Sequence, residues 1–129
     1  MSSDSQQLEA LIQGFSDRGQ NKTFLPANTT KDFLAIRPSG NPISAEDLAG
    51  MYDNADLVIE HSELVKIHRL EVYPDWSFAA FTLKEAFSYK GEGNNDLSTY
   101  SLIFKKIDGN WKISWMQRSQ GTTNLSTWN

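Results

Sequence analysis

The sequence contains no cysteine, which removes several kinds of chemistry from consideration. Without thiols the chain forms no disulfide bond, holds no thiolate metal site and offers no thiol nucleophile. It also lacks any run of about 18 apolar residues, the length that a membrane-spanning helix needs. The start, Met1-Ser2-Ser3-Asp4, has neither the basic nor the apolar segment of a signal peptide. We therefore expect a soluble, cytoplasmic protein that makes no contact with a membrane.

Basic residues and histidines are both scarce. Twelve Lys and Arg stand against 16 Asp and Glu, giving a net charge of −4, whereas a nucleic-acid-binding surface needs clustered positive charge. The two histidines, His61 and His68, do not have the spacing of metal ligands. Gly91-Glu92-Gly93 lacks the lysine and the following helix of a phosphate-binding loop. We predict no nucleic-acid partner, no metal and no other cofactor.

The chain has the size and composition of one domain. Its 129 residues are 39% hydrophobic, enough for one core. No internal repeat or low-complexity tract divides it. We expect a single domain over residues 1–129, of which residues 120–129 form a polar C-terminal tail.

Helical spacing dominates the first part of the chain. Leu8, Leu11, Ile12 and Phe15 fall on one helical face and predict a first helix. A short helical turn is expected over Lys31–Ile36, ending before Pro38 because the residue that precedes proline avoids the α region. A further helix is expected after Ser44, where a cap precedes a stripe of apolar residues: Leu48, Met51 and Tyr52.

From Leu57 onward the apolar residues alternate with polar ones, as in half-buried strands. The last two strands meet at Asp108-Gly109-Asn110, a turn sequence that tolerates positive φ. Helices followed by a run of strands predict an α+β fold, with helices packed on one face of a strongly curved antiparallel sheet. The predicted strands are Leu57–Glu60, Leu64–Tyr73, Ser77–Lys90, Ser98–Ile107 and Trp111–Gln120.

This order of elements resembles the nuclear transport factor 2-like superfamily. The segments Asp108-Gly109-Asn110-Trp111-Lys112-Ile113 and Arg118-Ser119 are similar to the last strand of the association (hub) domain of calcium/calmodulin-dependent protein kinase II. SnoaL-like proteins show a similar pattern. The resemblance implies a cone-shaped, cystatin-like sheet wrapped on the first helix, a pocket at the wide end and a homodimer through the outer sheet face. It does not imply one activity, because members include isomerases, dehydratases, cyclases and adaptors.

Glu85 is the first candidate for a catalytic role. It shares its strand face with the apolar residues Ala79, Phe81, Leu83 and Phe87. A carboxylate in such a place must be paired, hydrogen-bonded or protonated, because burying a bare charge costs several kcal/mol. It is therefore either a general acid or base in an apolar pocket, or a structural ion pair or rim residue.

Arg118 and His68 each admit two interpretations. Arg118 shares its phase with Lys112 and Met116, which places it on the outer face, but in the hub domain the matching arginine lies in the ligand cavity. It is either an anion clamp or a surface residue. His68 shares its phase with Leu64 and thus favours the interior, as a catalytic base or as a hydrogen-bonded core residue.

Aromatic and polar side chains complete the predicted ligand-binding wall, although core packing explains the aromatic ones equally well. The wall residues are Phe81, Tyr89, Tyr100, Trp115 and Gln117. Together with Glu85 and Arg118 they predict either a binding protein or a cofactor-free acid/base enzyme, whose ligand is an apolar and anionic small molecule. The alternative is an assembly module without catalysis, in which small residues such as Ala80 and Ala86 let two sheets pack together. A protein-binding adaptor is the third class, supported only by Trp128 in the polar tail.

Overall fold

Helices precede and flank a curled sheet in residues 3–121, which the computed structural model describes with the exception of the Asn94 side chain. Most of the predicted tail therefore lies outside the described residues, Trp128 included. The helices are α1 (Asp4–Ser16), α2 (Phe24–Asn28) and α3 (Ala45–Asp53), and a 3-10 turn, Asp17–Gln20, follows α1. The strands are β1 (Thr29–Ile36), β2 (Pro42–Ser44), β3 (Leu57–Val72), β4 (Trp76–Tyr89), β5 (Glu92–Ile107) and β6 (Asn110–Gln120).

Helix α1 lies on the inner face of the sheet, as its apolar stripe predicted. Its start is fixed by a capping box, in which the Ser3 hydroxyl accepts from the backbone of Gln6 and the Gln6 side chain accepts from the backbone of Ser3. Leu8, Ile12 and Phe15 are fully buried. None of the helices within residues 3–121 is long and apolar enough to cross a membrane.

The strands follow the order β2-β1-β6-β5-β4-β3 in one sheet. Neighbours are antiparallel, except that β1 runs parallel to β6. The predicted α+β fold with a curved sheet on N-terminal helices is confirmed. The predicted helical turn over Lys31–Ile36 is wrong, because this segment belongs to β1 and alternates between buried and exposed positions. The constraint before Pro38 excludes a longer helix but suits a strand equally well.

Two hairpin turns set the length of the long strands. Asp108 and Gly109 have φ of 52° and 81°, so the predicted turn is confirmed as a two-residue hairpin loop. Lys90 and Gly91, with φ of 49° and 86°, form a second one. Strand β5 consequently begins at Glu92 instead of Ser98. Strand β3 is likewise continuous where two strands were predicted.

A β-bulge in β6 reverses which of the following side chains face the core and which face outward. Ile113 pairs with Phe104, and Trp115 pairs with Ile103, so Ser114 is an extra residue. Beyond it Met116 faces the core, whereas Trp115 points to the outer face, the side of the sheet that the helices do not cover. The predicted inner position of Trp115, and with it that of Gln117, is wrong for this reason.

Irregular pairing in β3 has the same effect on His68. The register shifts between Leu64 and Lys66, and again between Ile67 and Arg69. Leu64 and Ile67 still pack against the core, but His68 is exposed on the outer face. Its ring Nε2 lies 2.7 Å from the hydroxyl of Thr82, which points outward from β4. The predicted interior position of His68 is wrong because unbroken alternation was assumed along this strand.

Candidate functional site

A cavity of about 400 Å³ opens between α3, the start of β3, the C-terminal ends of β4 and β6 and the middle of β5. Its walls are mainly apolar and come from Leu48, Met51, Leu57, Phe87 and Met116. Its floor is polar and charged. Pockets that bind small molecules commonly combine an apolar wall with a few convergent polar groups in this way.

Glu85 lies at the centre of the floor. It is only 2% exposed, on the inward face of β4 as its phase predicted. Its Oε1 accepts a hydrogen bond from the Tyr100 hydroxyl at 2.7 Å, and its Oε2 lies 3.2 Å from Nη2 of Arg18. Both carboxylate oxygens therefore already have partners within the protein.

Arg18 reaches this floor from the 3-10 turn after α1. Its Nε donates to the hydroxyl of Tyr52 at 3.1 Å, and its Nη1 donates to the backbone carbonyl of Phe15 at 2.9 Å. The guanidinium also lies over the Phe15 ring, 4.1 Å from its centroid. Burial by itself lowers the pKa of Arg18, but Tyr52, Tyr100 and Glu85 outweigh that effect and raise it. Arg18 is therefore a buried cation.

Tyr100 is the hydrogen-bond donor of the floor. Burial raises the pKa of its hydroxyl well above the ordinary value, and the charge of Glu85 adds to this effect. The hydroxyl therefore keeps its proton and donates a hydrogen bond to Glu85, while its oxygen accepts one from Arg18 at 3.1 Å.

Arg118 faces the cavity, because the bulge at Ser114 turns it inward. Its Nη2 lies 3.1 Å from the carboxylate of Asp96, and its Nε donates to the hydroxyl of Ser98 at 3.0 Å. The same Nε is 3.8 Å from Glu85, and the guanidinium lies 4.9 Å from the centroid of the Phe87 ring. Among the side chains that the structure describes, none is a hydrogen-bond partner of the third nitrogen, Nη1.

The mouth of the cavity carries a second arginine and a tyrosine. Arg37 belongs to the loop between β1 and β2, where its Nε donates to the carbonyl of Asn41 at 3.2 Å. Gly40 allows that tight loop with φ of 86°. Tyr89 lies at the end of β4 and is 38% exposed.

The structure brings four of the predicted site residues to the cavity: Glu85, Arg118, Tyr89 and Tyr100. The other four lie elsewhere. Phe81 is fully buried in the core, stacked on Tyr100 with ring centroids 5.7 Å apart. Trp115, Gln117 and His68 are on the outer face, away from the cavity.

Sequence reasoning did not assign Arg18 and Tyr52 to the site. A usable signal existed for Arg18, which follows Phe15 by three residues and thus continues the apolar stripe of α1 with a charge. Like Glu85, Arg18 is a charged residue in phase with buried apolar ones and therefore needs a partner within the protein. Tyr52 was assigned to the apolar stripe of α3, and its hydroxyl gave no separate signal. Asp96 was placed in a loop, because the strand before Ser98 was not predicted.

Charge on the cavity surface is predominantly positive. Three arginines, Arg18, Arg37 and Arg118, line it together with one carboxylate, Glu85. Within the described residues, no group of three or more His, Asp or Glu side chains could hold a metal ion. The arrangement suits an anion better than a cation.

The sequence and the fold both have recognisable relatives. A family model described as a protein of unknown function, DUF3804, matches residues 3–129. The solved structure of an NTF2-like protein of unknown function from Prochlorococcus marinus is 40% identical in sequence, with a TM-score of 0.86. The match covers 98% of this chain and 100% of the other. This chain is an NTF2-like protein of the DUF3804 family.

Less similar solved structures share the fold alone. A proposed Ca/calmodulin-dependent kinase II association domain from Exiguobacterium sibiricum is 17% identical, covers 96% and 98% of the two chains and has a TM-score of 0.82. A ketosteroid isomerase-like protein from Erwinia carotovora atroseptica is also 17% identical, with coverage of 88% and 89% and a TM-score of 0.65. No curated protein sequence matches this NTF2-like chain.

Proposed function

We propose that this protein binds a small, largely apolar molecule that carries an anionic group, and that Arg118 holds the anion. The observation that carries the proposal is the charge of the cavity. Three arginines and one carboxylate line it, and Asp96 pairs with Arg118 from behind, so one positive charge is left over in a chain whose net charge is −4. A local excess of positive charge in an overall acidic protein favours an anionic ligand.

Arg118 is prepared for such a contact. Asp96 and Ser98 hold two of its guanidinium nitrogens, which fixes the plane of the group before a ligand arrives. The remaining nitrogen, Nη1, is available for a carboxylate oxygen. Preorganisation of this kind reduces the entropy that is lost on binding, and charge-assisted hydrogen bonds to carboxylates are among the stronger ones.

The role of Glu85 in this proposal is to compensate the charge of Arg18 and to orient it. Both carboxylate oxygens already have partners: Oε1 accepts a hydrogen bond from Tyr100, and Oε2 forms an ion pair with Arg18. General acid/base catalysis by Glu85 stays a prediction. One solved structure of this fold is described as ketosteroid isomerase-like. The ligand-binding proposal, however, does not require that the protein catalyse a reaction.

Exchanging Arg118 for glutamine tests the anion contact. In calorimetric titrations, 3-phenylpropionate serves as the anionic probe and 3-phenylpropionamide as the neutral one. Arg118→Gln is expected to weaken binding of the carboxylate by about ten-fold or more and that of the amide by only about two-fold, because a hydrogen bond to a charged group is worth about 1.5–3 kcal/mol.

The matched control is Arg69→Gln, which removes the same charge from an exposed arginine on β3, outside the cavity. It should leave both affinities within about two-fold of wild type, because exposed charges are screened. Equal weakening of both probes by Arg118→Gln would contradict an anion clamp. Failure of wild-type protein to bind either probe would contradict the proposed cavity function itself.

We further propose that the outer face of the sheet pairs with a second copy of the chain. Four half-buried apolar residues from four adjacent strands form a row across it, in the order Phe78, Ile103, Trp115 and Leu34. Small side chains such as Ala80 lie beside this row. A contiguous apolar surface of this kind is typical of a protein–protein interface, and a two-fold axis would bring the row onto itself.

Light scattering at micromolar concentration is expected to give twice the monomer mass of 14.6 kDa. Trp115→Glu should shift the protein to the monomer, because it places a charge in the middle of the apolar row. As a control, Ala10→Glu places the same charge at an exposed position of α1, which lies on the inner face of the sheet, and should leave the dimer intact. A mass of 14.6 kDa for wild type at every concentration would disprove this pairing.

A further inference from the structure

Two buried tyrosine hydroxyls contact Arg18 at the cavity floor, but within residues 3–121 only one of them has an acceptor for its own proton. The Tyr100 hydroxyl donates to Glu85 at 2.7 Å, so its proton is already used inside the protein. The Tyr52 hydroxyl reaches the same guanidinium of Arg18 from α3, and Tyr52 is 9% exposed. Among the described residues, the only hydrogen bond of this hydroxyl is the one with Nε of Arg18, at 3.1 Å.

The direction of that hydrogen bond follows from chemistry. A guanidinium group has five N–H donors and no acceptor. The Tyr52 oxygen must therefore accept from Arg18, and the hydroxyl proton of Tyr52 points away from it. Since the structure gives this proton no acceptor within the described residues and Tyr52 lines the cavity, the proton is available to a bound ligand.

We propose that Tyr52 is a specificity-determining residue, whose hydroxyl donates a hydrogen bond to an oxygen of the bound molecule. This inference rests on the proposed function, because it assumes that the cavity binds a small molecule. It adds that the group held by Arg118 presents a further oxygen to the Tyr52 hydroxyl, which reaches the same charged floor from α3. Arg18 is then a positioning residue, which acts on the ligand through the hydroxyl that it orients.

Tyr52→Phe keeps the ring, which belongs to the hydrophobic core, and removes only the hydroxyl. Calorimetric titration with three probes of one shape separates its effects: 3-phenylpropionate, 3-phenylpropionamide and n-propylbenzene. We expect about ten-fold weaker binding of the carboxylate, about three- to five-fold weaker binding of the amide, and a change within about two-fold for propylbenzene, which has no acceptor.

Tyr73→Phe is the matched control. It removes a hydroxyl from an exposed tyrosine that stacks on Trp76 at the turn between β3 and β4, outside the cavity. All three affinities are expected to stay within about two-fold of wild type. Thermal melting of both variants without probe shows whether each is folded.

The outcomes separate this inference from the proposed function. Equal weakening of all three probes by Tyr52→Phe would mean that Tyr52 only shapes the cavity, and unchanged binding would mean that its hydroxyl does not touch the ligand; either result overturns the inference while binding by wild type stands. If wild type binds the amide but not the carboxylate, the anion proposal fails and the amide still tests Tyr52. If wild type binds none of the probes, both proposals fail.

A crystal structure of wild type with 3-phenylpropionate provides the test without any variant. The inference requires a carboxylate oxygen about 2.5–3.0 Å from the Tyr52 hydroxyl oxygen. A probe bound in the cavity with its carboxylate turned away from α3 would overturn the inference, even if Tyr52→Phe does not fold.

Discussion

Replacing Phe15 with alanine is expected to lower the free energy of unfolding by about 3–5 kcal/mol, the usual cost of truncating a buried phenylalanine. Phe15 is fully buried, and its ring lies edge-on to Phe81 and Tyr100 with centroids 5.8 Å and 5.0 Å away. The substitution therefore leaves a cavity between α1 and the sheet. It also removes the ring on which the Arg18 guanidinium rests, 4.1 Å from the centroid.

Chemical denaturation monitored by circular dichroism measures this loss. Phe15→Leu retains most of the volume and should cost clearly less than Phe15→Ala. Gln13→Ala, at an exposed position of the same helix, should stay within about 0.5 kcal/mol of wild type. A loss below about 1 kcal/mol for Phe15→Ala would contradict the position of α1 in the core.

Removing the charge of Glu85 is expected to be similarly costly. Glu85→Gln preserves the shape of the side chain, but it leaves Arg18, which is 7% exposed, without its buried counter-ion. Loss of one partner of a buried pair typically costs about 3–5 kcal/mol, because the remaining charge stays desolvated. Arg118 loses only a weaker contact, at 3.8 Å from Glu85, because its ion pair with Asp96 remains.

A double-mutant cycle with Arg18→Met isolates the pair. The double variant is expected to recover part of the loss, since both buried charges are then gone. Glu63→Gln is the control, because it removes the same charge from an exposed carboxylate on β3 and should cost less than about 0.5 kcal/mol. Stability of Glu85→Gln within about 1 kcal/mol of wild type would contradict the structural role and favour the predicted catalytic one.

The two variants test one connected arrangement. Phe15 supports Arg18 from α1, and Arg18 binds Glu85 on the sheet and Tyr52 on α3. The cavity floor is thus built on the same contacts that hold the first helix to the sheet. We therefore expect Phe15→Ala to weaken binding of 3-phenylpropionate as well as stability, whereas Gln13→Ala should change neither.

The sequence by itself determined the features that depend on local periodicity. The buried face of α1, the α3 cap at Ser44 and the turn at Asp108-Gly109 were predicted and are present. The inward position of Glu85 was also predictable, because β4 pairs with β5 without a register shift, so its alternation is unbroken. In such segments the chain's own geometry decides which side chains share a face.

Only the tertiary structure decided which residues meet at the cavity. One extra residue at Ser114 turns Arg118 inward and Trp115 outward, and the irregular pairing of β3 moves His68 to the outer face. A shift of one residue exchanges every side chain between the two faces of a strand. Such bulges arise from pairing with a neighbouring strand, which local alternation does not report. The contact of Arg18 with Glu85 joins positions 67 residues apart, so it exists only once α1 has packed on the sheet.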